Sequence, residues 1–105
     1  MVVKHEVQAD FLQAIGQATR LRILEVLAEG ERCVCDIQVA VGEQQSNVSK
    51  HLSLMREHGL VKCRREGSTV YYSLSDTRIY DAIKLLIEAQ ADLIKHKSQL
   101  ASTNC

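Results

Sequence analysis

This 105-residue chain has five glycines and no prolines. The glycines divide it into segments whose apolar residues repeat at helical spacing. An apolar residue at every third or fourth position gives a helix one apolar face. A glycine after such a run commonly ends the helix, because it adopts left-handed backbone angles at little cost. The pattern predicts four successive helices, which end near Gly16, Gly30, Gly42 and Gly59.

The spacing of the apolar residues changes after the fourth helix. The runs LVKCRR (60–65) and TVYYSL (69–74) have the composition of short strands, and the EGS between them is typical of a tight turn. We therefore expect a two-stranded hairpin with a basic tip. Helical spacing returns from Asp76 to about Lys97. Residues 1–105 are thus predicted to form one mostly helical α+β domain with four helices, a hairpin and a long C-terminal helix.

Composition limits the class of protein. A hydrophobic content of 46% argues against intrinsic disorder. No apolar run approaches the roughly 18 residues that span a membrane, and the N-terminal residues lack the apolar core of a signal peptide. We therefore expect a cytoplasmic protein with no membrane partner, in which the four cysteines are reduced thiols.

The charges of this neutral chain are unevenly distributed, because residues 44–72 carry five basic and two acidic side chains. A helical projection of residues 44–58 places Val48, Leu52 and Met55 on one face. The opposite face carries short hydrogen-bonding side chains and two cations. Amides and hydroxyls near a helix N-terminus suit base edges in the major groove, and Lys and Arg suit phosphates.

The third helix, the glycine turn and this polar helix have the order of a helix-turn-helix, and the hairpin that follows would be its wing. We expect these elements to bind double-stranded DNA. A protein-interaction module of the same fold remains an alternative. The predicted DNA contacts are Gln45, Ser46, Asn47, Ser49, Lys50 and Arg56 on the helix, and Arg64, Arg65, Ser68 and Thr69 on the wing.

The last predicted helix carries more apolar surface than the four preceding helices of this small domain can cover. Its apolar residues recur near a 3.5-residue spacing, which is the repeat of helices that pair along a seam. We expect a homodimer, and a two-fold dimer predicts an operator that is an inverted repeat. The predicted interface residues are Phe11, Ile15, Ile79, Ile83, Leu86 and Leu93.

The third helix is predicted to run from Val34 to Val41, and Cys33 and Cys35 lie at its start. On a regular helix, residues i and i+2 point about 200° apart and cannot share one ion. The two sulfurs can converge if Cys33 precedes the helix or if the first turn unwinds, so chelation would disturb the helix that supports the polar helix. Plain packing and a reversible disulfide are alternative uses of the pair.

Four segments of the chain resemble the ArsR/SmtB family of metal-sensing transcriptional repressors. They are TRLRILEVL, CVCDI, SNVSKHLSLMREHGLV and RREGSTVYYSLSD, within a similarity that runs from about Phe11 to Leu86. The resemblance implies a winged-helix homodimer that occupies its operator without metal and leaves when metal binds. CVCD resembles the sensing box of the arsenite and cadmium/lead branches.

The chain departs from the family pattern at two places. Arsenite-sensing relatives have a third cysteine where this chain has Gln38, and cadmium/lead relatives have cysteines in an N-terminal extension, whereas none precedes Cys33. The family's zinc site on the last helix opens with Asp-x-His, but here Arg78 holds the histidine position, and the later part supplies Ala89 and Asp92. An arginine cannot ligate zinc, so this second site is predicted to be lost.

The sequence therefore predicts a repressor that leaves DNA when a soft metalloid or metal binds Cys33 and Cys35. Arsenite or antimonite is the first choice and cadmium or lead the second, with no organic cofactor. Arsenite takes three thiolates, so Cys105, or with less support Cys63, is a candidate third ligand. A thiol redox switch of the same fold is an alternative, and a thiol or metal carrier is a weaker one. The sequence shows neither a convergent acid–base pair nor a substrate-binding glycine loop, so we do not expect an enzyme.

Overall fold

A computed structural model describes residues 4–99, with side-chain environments for residues 4–97. No helix in the described range is long and apolar enough to cross a membrane. Five helices and three strands lie within that range: α1 (His5–Ile15), α2 (Ala18–Ala28), β1 (Arg32–Cys33), α3 (Val34–Val41), α4 (Gln45–Glu57), β2 (Val61–Glu66), β3 (Thr69–Leu74) and α5 (Arg78–Gln99).

The predicted helix ends are confirmed where a glycine follows the helix directly. Gly42 has a φ of 71°, in the left-handed region, and its N–H donates to the Gln38 carbonyl at 3.0 Å. This arrangement closes α3 immediately after Val41. α2 instead ends at Ala28, with Glu29 rather than the following glycine as its C-cap.

The predicted hairpin is present after α4. β2 and β3 pair in antiparallel register along their whole length, and Gly67 and Ser68 form the turn between them. α3, the turn at Gly42, α4 and this hairpin follow one another in the order of a winged helix-turn-helix. The predicted fold class is therefore confirmed.

A third strand, which the sequence did not predict, extends the hairpin into a sheet of order β1–β3–β2. β1 contributes only two antiparallel pairs, Arg32 with Tyr72 and Cys33 with Tyr71. Two residues are too few to show the alternating pattern by which strands are found in sequences. The pairing attaches the segment that contains Cys33 directly to the wing.

The hydrophobic core fixes the orientation of α4. Val48, Leu52 and Met55 are fully buried, as the helical projection predicted. Burial of a large apolar side chain contributes about 1.5–3 kcal/mol, so α4 cannot rotate about its axis without a large loss of stability. Its polar face therefore points to solvent. The core also includes Ile23, Leu24 and Leu27 of α2, Ile37 and Val41 of α3, and Leu60 and Val61 before and in β2.

α5 contacts the rest of the protomer mainly through its first turns. Ile83 is 6% exposed and lies in the protomer's own core, so it offers little surface to a partner, although the sequence placed it in the dimer interface. Every residue from 84 to 97 is exposed, and Leu86 and Leu93 are 67% and 66% exposed. The predicted interface residues that are half-buried against the same core are Phe11, Ile15 and Ile79.

Candidate nucleic-acid interface and cysteine site

The solvent-facing side of α4 carries the predicted DNA contacts near its N-terminus. Gln45, Ser46 and Lys50 are exposed, and Asn47 and Ser49 are half-buried. The depression between α3 and α4 has a volume of about 650 Å³ and brings amide, hydroxyl and ammonium groups together. Such groups suit base edges and phosphates. It is lined by Gln38, Gly42, Glu43, Gln44, Ser46, Asn47 and Lys50.

Glu43 connects the start of α4 to α2. Its carboxylate accepts hydrogen bonds from the Thr19 hydroxyl and from the Asn47 side-chain amide, and Nη1 of Arg22 lies 3.4 Å away. These donors, of which Thr19 has the largest effect, hold the pKa of Glu43 below its usual value. Sequence reasoning missed Glu43, although an acidic residue just before a helix is a recognisable signal. Asn47, predicted to contact DNA, is thus also engaged within the protein.

Arg20 connects the end of α1 to α4. Its Nε donates to the Ala14 carbonyl at 2.7 Å, and its Nη2 donates to the Gln13 carbonyl at 3.2 Å. A cation at this position also interacts favourably with the C-terminal end of a helix. Its Nη1 lies 3.2 Å from Nδ1 of His51. The same guanidinium therefore joins the helix predicted to contact a second protomer to the helix predicted to contact DNA.

The tip of the wing is open to solvent. Arg65 and Ser68 are exposed, and Thr69 is half-buried beside them. A cation and two hydroxyl groups on a hairpin can contact phosphate oxygens. The side chains of these three predicted residues are therefore at least partly accessible at the end of the hairpin.

Arg64, also predicted to contact DNA, is held by side chains of the protein. Its Nη2 lies 2.8 Å from Glu31 and its Nη1 lies 2.7 Å from Glu66. Its guanidinium stands 4.6 Å from the centre of the Tyr71 ring. The hydrogen bond from Arg64 lowers the pKa of Glu31. Because Glu31 lies two residues before Cys33, Arg64 ties the wing to the cysteine segment.

Arg56 lies at the C-terminal end of α4, away from the depression. It is exposed, and its Nη1 donates to Sγ of Cys63 on β2 at 3.3 Å. This hydrogen bond raises the pKa of Arg56. The contact links α4 to the wing, and the guanidinium remains accessible to a phosphate.

Cys33 stands immediately before α3, which meets the geometric condition for convergence with Cys35. Its backbone is extended, with φ −76° and ψ 160°, and its Sγ accepts a hydrogen bond from the Asp36 N–H at 3.4 Å. Cys33 is therefore the N-cap of α3, a position usually held by an oxygen-bearing side chain. Cys35 lies exposed in the first turn, and both thiols are free.

The sheet places Cys63 on the side opposite to Cys33. Cys33 pairs with Tyr71, whereas Cys63 pairs with Tyr72. Paired residues project to the same face of a sheet and consecutive residues project to opposite faces. This placement argues against Cys63 as a third ligand, and Cys105 lies outside the described residues. Among the residues whose side chains are described, no group of three or more His, Cys, Asp or Glu could hold a metal ion.

An ion pair fills the position of the second metal site that the sequence predicts to be lost. Nη2 of Arg78 donates to Oδ2 of Asp76 at 2.7 Å, and the Arg78 N–H donates to Oδ1 at 2.9 Å. These bonds lower the pKa of Asp76 to about 2. A carboxylate held in this way is a poor start for a metal site, which supports the prediction.

Comparisons with known proteins agree with this geometry. Residues 17–62 match the family described as bacterial regulatory protein, arsR family. A cadmium resistance transcriptional regulatory protein CadC homolog from Staphylococcus aureus is 37% identical, over 90% of this chain and 73% of that protein. The arsenical resistance operon repressor of Escherichia coli is 42% identical, over 71% of this chain and 65% of that protein. The solved homodimeric winged helix-turn-helix DNA-binding domain of a possible ArsR-family transcriptional regulator from Mycobacterium bovis is 30% identical, with a TM-score of 0.77 over 84% of each chain.

Removal of Lys50 or Arg65 should weaken DNA binding and reduce its dependence on salt. Each alanine variant loses about one phosphate contact per subunit, so the slope of log affinity against log salt should flatten by about one for each subunit. Fluorescence anisotropy of a labelled operator at several salt concentrations measures this slope. Arg78→Ala is the control, because Arg78 is paired with Asp76 at the start of α5. An unchanged slope for both Lys50→Ala and Arg65→Ala would place the DNA-binding surface elsewhere.

Proposed function

Because the chain belongs to the arsR family of bacterial regulatory proteins, we propose that it is a transcriptional repressor that leaves its operator when a soft metalloid or metal binds Cys33 and Cys35. The proposed inducer is arsenite or antimonite, with cadmium or lead as the second choice. The relatives from S. aureus and E. coli are named for cadmium resistance and for arsenical resistance, which supports ligands of this class.

The observation that carries the proposal is the position of Cys33 as the N-cap of α3. Its Sγ accepts the Asp36 N–H, which is otherwise one of the unpaired donors at a helix start. Arsenic or a metal takes the place of the thiol proton on this sulfur, and the bond that it forms sets where the sulfur stands relative to the Asp36 N–H. The same bond draws Cys33 towards Cys35 in the first turn. Ligand binding therefore changes the cap, the first turn of α3, or both.

The available donors favour a thiophilic ligand. Two cysteine thiols at one helix end suit arsenite, antimonite, cadmium or lead far better than they suit a hard cation. Cys105 or a small cellular thiol completes the three-sulfur set that arsenite requires. Zinc is a poor inducer in this proposal, because Arg78 occupies the position at which the family's zinc site has a histidine.

Two connections carry a change at Cys33 to the DNA-binding surface. Through α3, the buried side chains of Ile37 and Val41 share one core with Val48 of α4. Through β1, Cys33 pairs with Tyr71 of the wing. Glu31, two residues before Cys33, forms an ion pair with Arg64 of the wing. A ligand that binds one arrangement of the cysteine segment better than the other thus shifts the whole DNA-binding surface.

Arsenite should weaken the binding of the reduced protein to operator DNA by about 10- to 100-fold, within the usual range of allosteric coupling. Cys33→Ser and Cys35→Ser should each keep DNA binding but reduce this effect to less than about twofold, because one thiolate cannot form the chelate. Anisotropy titrations with and without arsenite measure both quantities. Cys63→Ser is the matched control and should respond as the wild type does.

The sensing site would lie elsewhere if the Cys33→Ser/Cys35→Ser double variant still left DNA on arsenite addition. Parallel titrations with cadmium, lead, zinc and peroxide show whether another metal ion or oxidation releases the protein from DNA. Release by peroxide without release by arsenite would favour a thiol redox switch, since a disulfide between Cys33 and Cys35 is the alternative use of the pair.

The proposed repressor is a homodimer that recognises an inverted repeat. Residues 84–97 of α5 are all exposed in the protomer, and the large apolar side chains among them include Leu86, Leu93 and Ile94. α1 adds Val7 and Leu12, each 60% exposed. Large exposed apolar patches on a protein mark sites of interaction with another protein. The homodimeric M. bovis domain supports the same assembly for this chain.

Leu86→Glu should convert the dimer to a monomer, because it places a charge in the middle of the apolar face of α5. Sedimentation at micromolar protein concentration measures the assembly state, and the monomer should lose affinity for an inverted-repeat operator. Ala91→Glu is the matched control, since a helical projection places Ala91 beside Lys84 and Lys95 and on the opposite side of α5 from Leu86. A wild-type protein that is well folded and monomeric would contradict this assembly. So would an Ala91→Glu variant that loses dimerisation to the same extent as Leu86→Glu.

A further inference from the structure

A carboxylate lies on the surface that is proposed to contact DNA. Glu43 lines the depression between α3 and α4 together with Ser46, Asn47 and Lys50. A negative charge beside phosphates opposes binding, so its presence there calls for a compensating role. Its hydrogen bonds to the Thr19 hydroxyl and the Asn47 amide indicate what that role is.

The chemistry of Glu43 fixes which end of the Asn47 amide points outwards. An ionised carboxylate can only accept hydrogen bonds, so the Asn47 Nδ2 must face it. Thr19, 5% exposed, holds the carboxylate in place from the other side. Within the described residues, Oδ1 of Asn47 has no hydrogen-bond partner, and no buried polar side-chain atom is left unsatisfied. Within this range, Oδ1 is therefore an unpaired acceptor that is accessible to solvent.

We propose that Glu43 determines sequence specificity by making Asn47 present a hydrogen-bond acceptor to the major groove. Such an acceptor recognises the exocyclic amino group of adenine or cytosine and disfavours guanine and thymine, which present oxygen acceptors at the corresponding positions. Adenine is the better partner, because the second N–H of the Asn47 amide is available for adenine N7. Glu43 is a positioning residue, and this inference rests on the proposed contact between α4 and DNA.

Glu43→Gln separates positioning from simple electrostatics. Loss of a negative charge near phosphates should raise the affinity for every DNA sequence by a similar factor. Loss of the acceptor-only partner has a different effect, since a glutamine amide can donate as well as accept and allows the Asn47 amide to turn over. That change should alter the preference at one base pair of each half-site and leave the other positions unchanged.

The experiment is selection of binding sites from duplexes with randomised half-sites, followed by sequencing. The wild type should enrich one base pair by about tenfold at one position of each half-site, the scale of one well-placed hydrogen bond to a base, and an A·T pair is expected because adenine is the better partner. Asn47→Ala should lose this preference, and Glu43→Gln should reduce it to about twofold or less. Glu57→Gln, which removes the same charge from the far end of α4, is the matched control and should keep it.

A second measurement does not depend on the folding of the Glu43 variant. In the test operator, the base at the position that depends on Asn47 lacks its exocyclic amino group. The wild type should bind this operator about tenfold more weakly than it binds the parent operator. Asn47→Ala should bind the two operators equally well. The inference would be overturned if loss of that amino group left the wild-type affinity unchanged, or if Glu43→Gln kept the wild-type preference. Either result would leave the proposed contact between α4 and DNA intact. A wild type that enriches no sequence would overturn the proposed function as well.

Discussion

The hydrogen bond from the Asp36 N–H to Sγ of Cys33 is the contact on which the proposed switch depends. Cys33 belongs to two structures at once, because its backbone pairs with Tyr71 in the sheet and its side chain caps α3. An oxygen-bearing residue would cap a helix better, but it would not bind a thiophilic ligand. The use of sulfur at this position therefore joins ligand binding to the local stability of one helix end.

The rest of the molecule turns this local change into a change of the DNA-binding surface. Side chains of α3 and α4 share one core, so the two helices cannot move independently without loss of packing. Glu43 and Arg20 add polar connections from α4 to α2 and α1. Arg64 connects the wing to Glu31. The wing is thus attached to the segment that contains Cys33. α4 shares a core with α3, the helix that begins in that segment.

Local patterns predicted the fold well, and contacts between distant residues account for what they missed. α3 and β3 were predicted at their observed bounds, since a glycine turn or an alternating run marks each of them. β1 was missed because two residues carry no period, and the engagement of Arg64 by Glu31 joins residues 33 positions apart. Ile83 fits the spacing of the α5 apolar stripe, but only the packed structure shows that it belongs to the protomer's own core. The family of transcriptional regulators to which the chain belongs confirms that it is not an enzyme, and the roles of individual site residues stay predictions.

Amide hydrogen exchange of the reduced, DNA-free protein tests the central claim most directly, because it reports on the start of α3 itself. Arsenite should speed exchange at residues 36–38, whose amides depend on the Cys33 cap and the first turn of α3. The Gly42 amide, bonded to the Gln38 carbonyl at the other end of the helix, should change less and serves as the internal reference. Unchanged or slower exchange at residues 36–38, in protein that has bound arsenite at Cys33 and Cys35, would contradict the account.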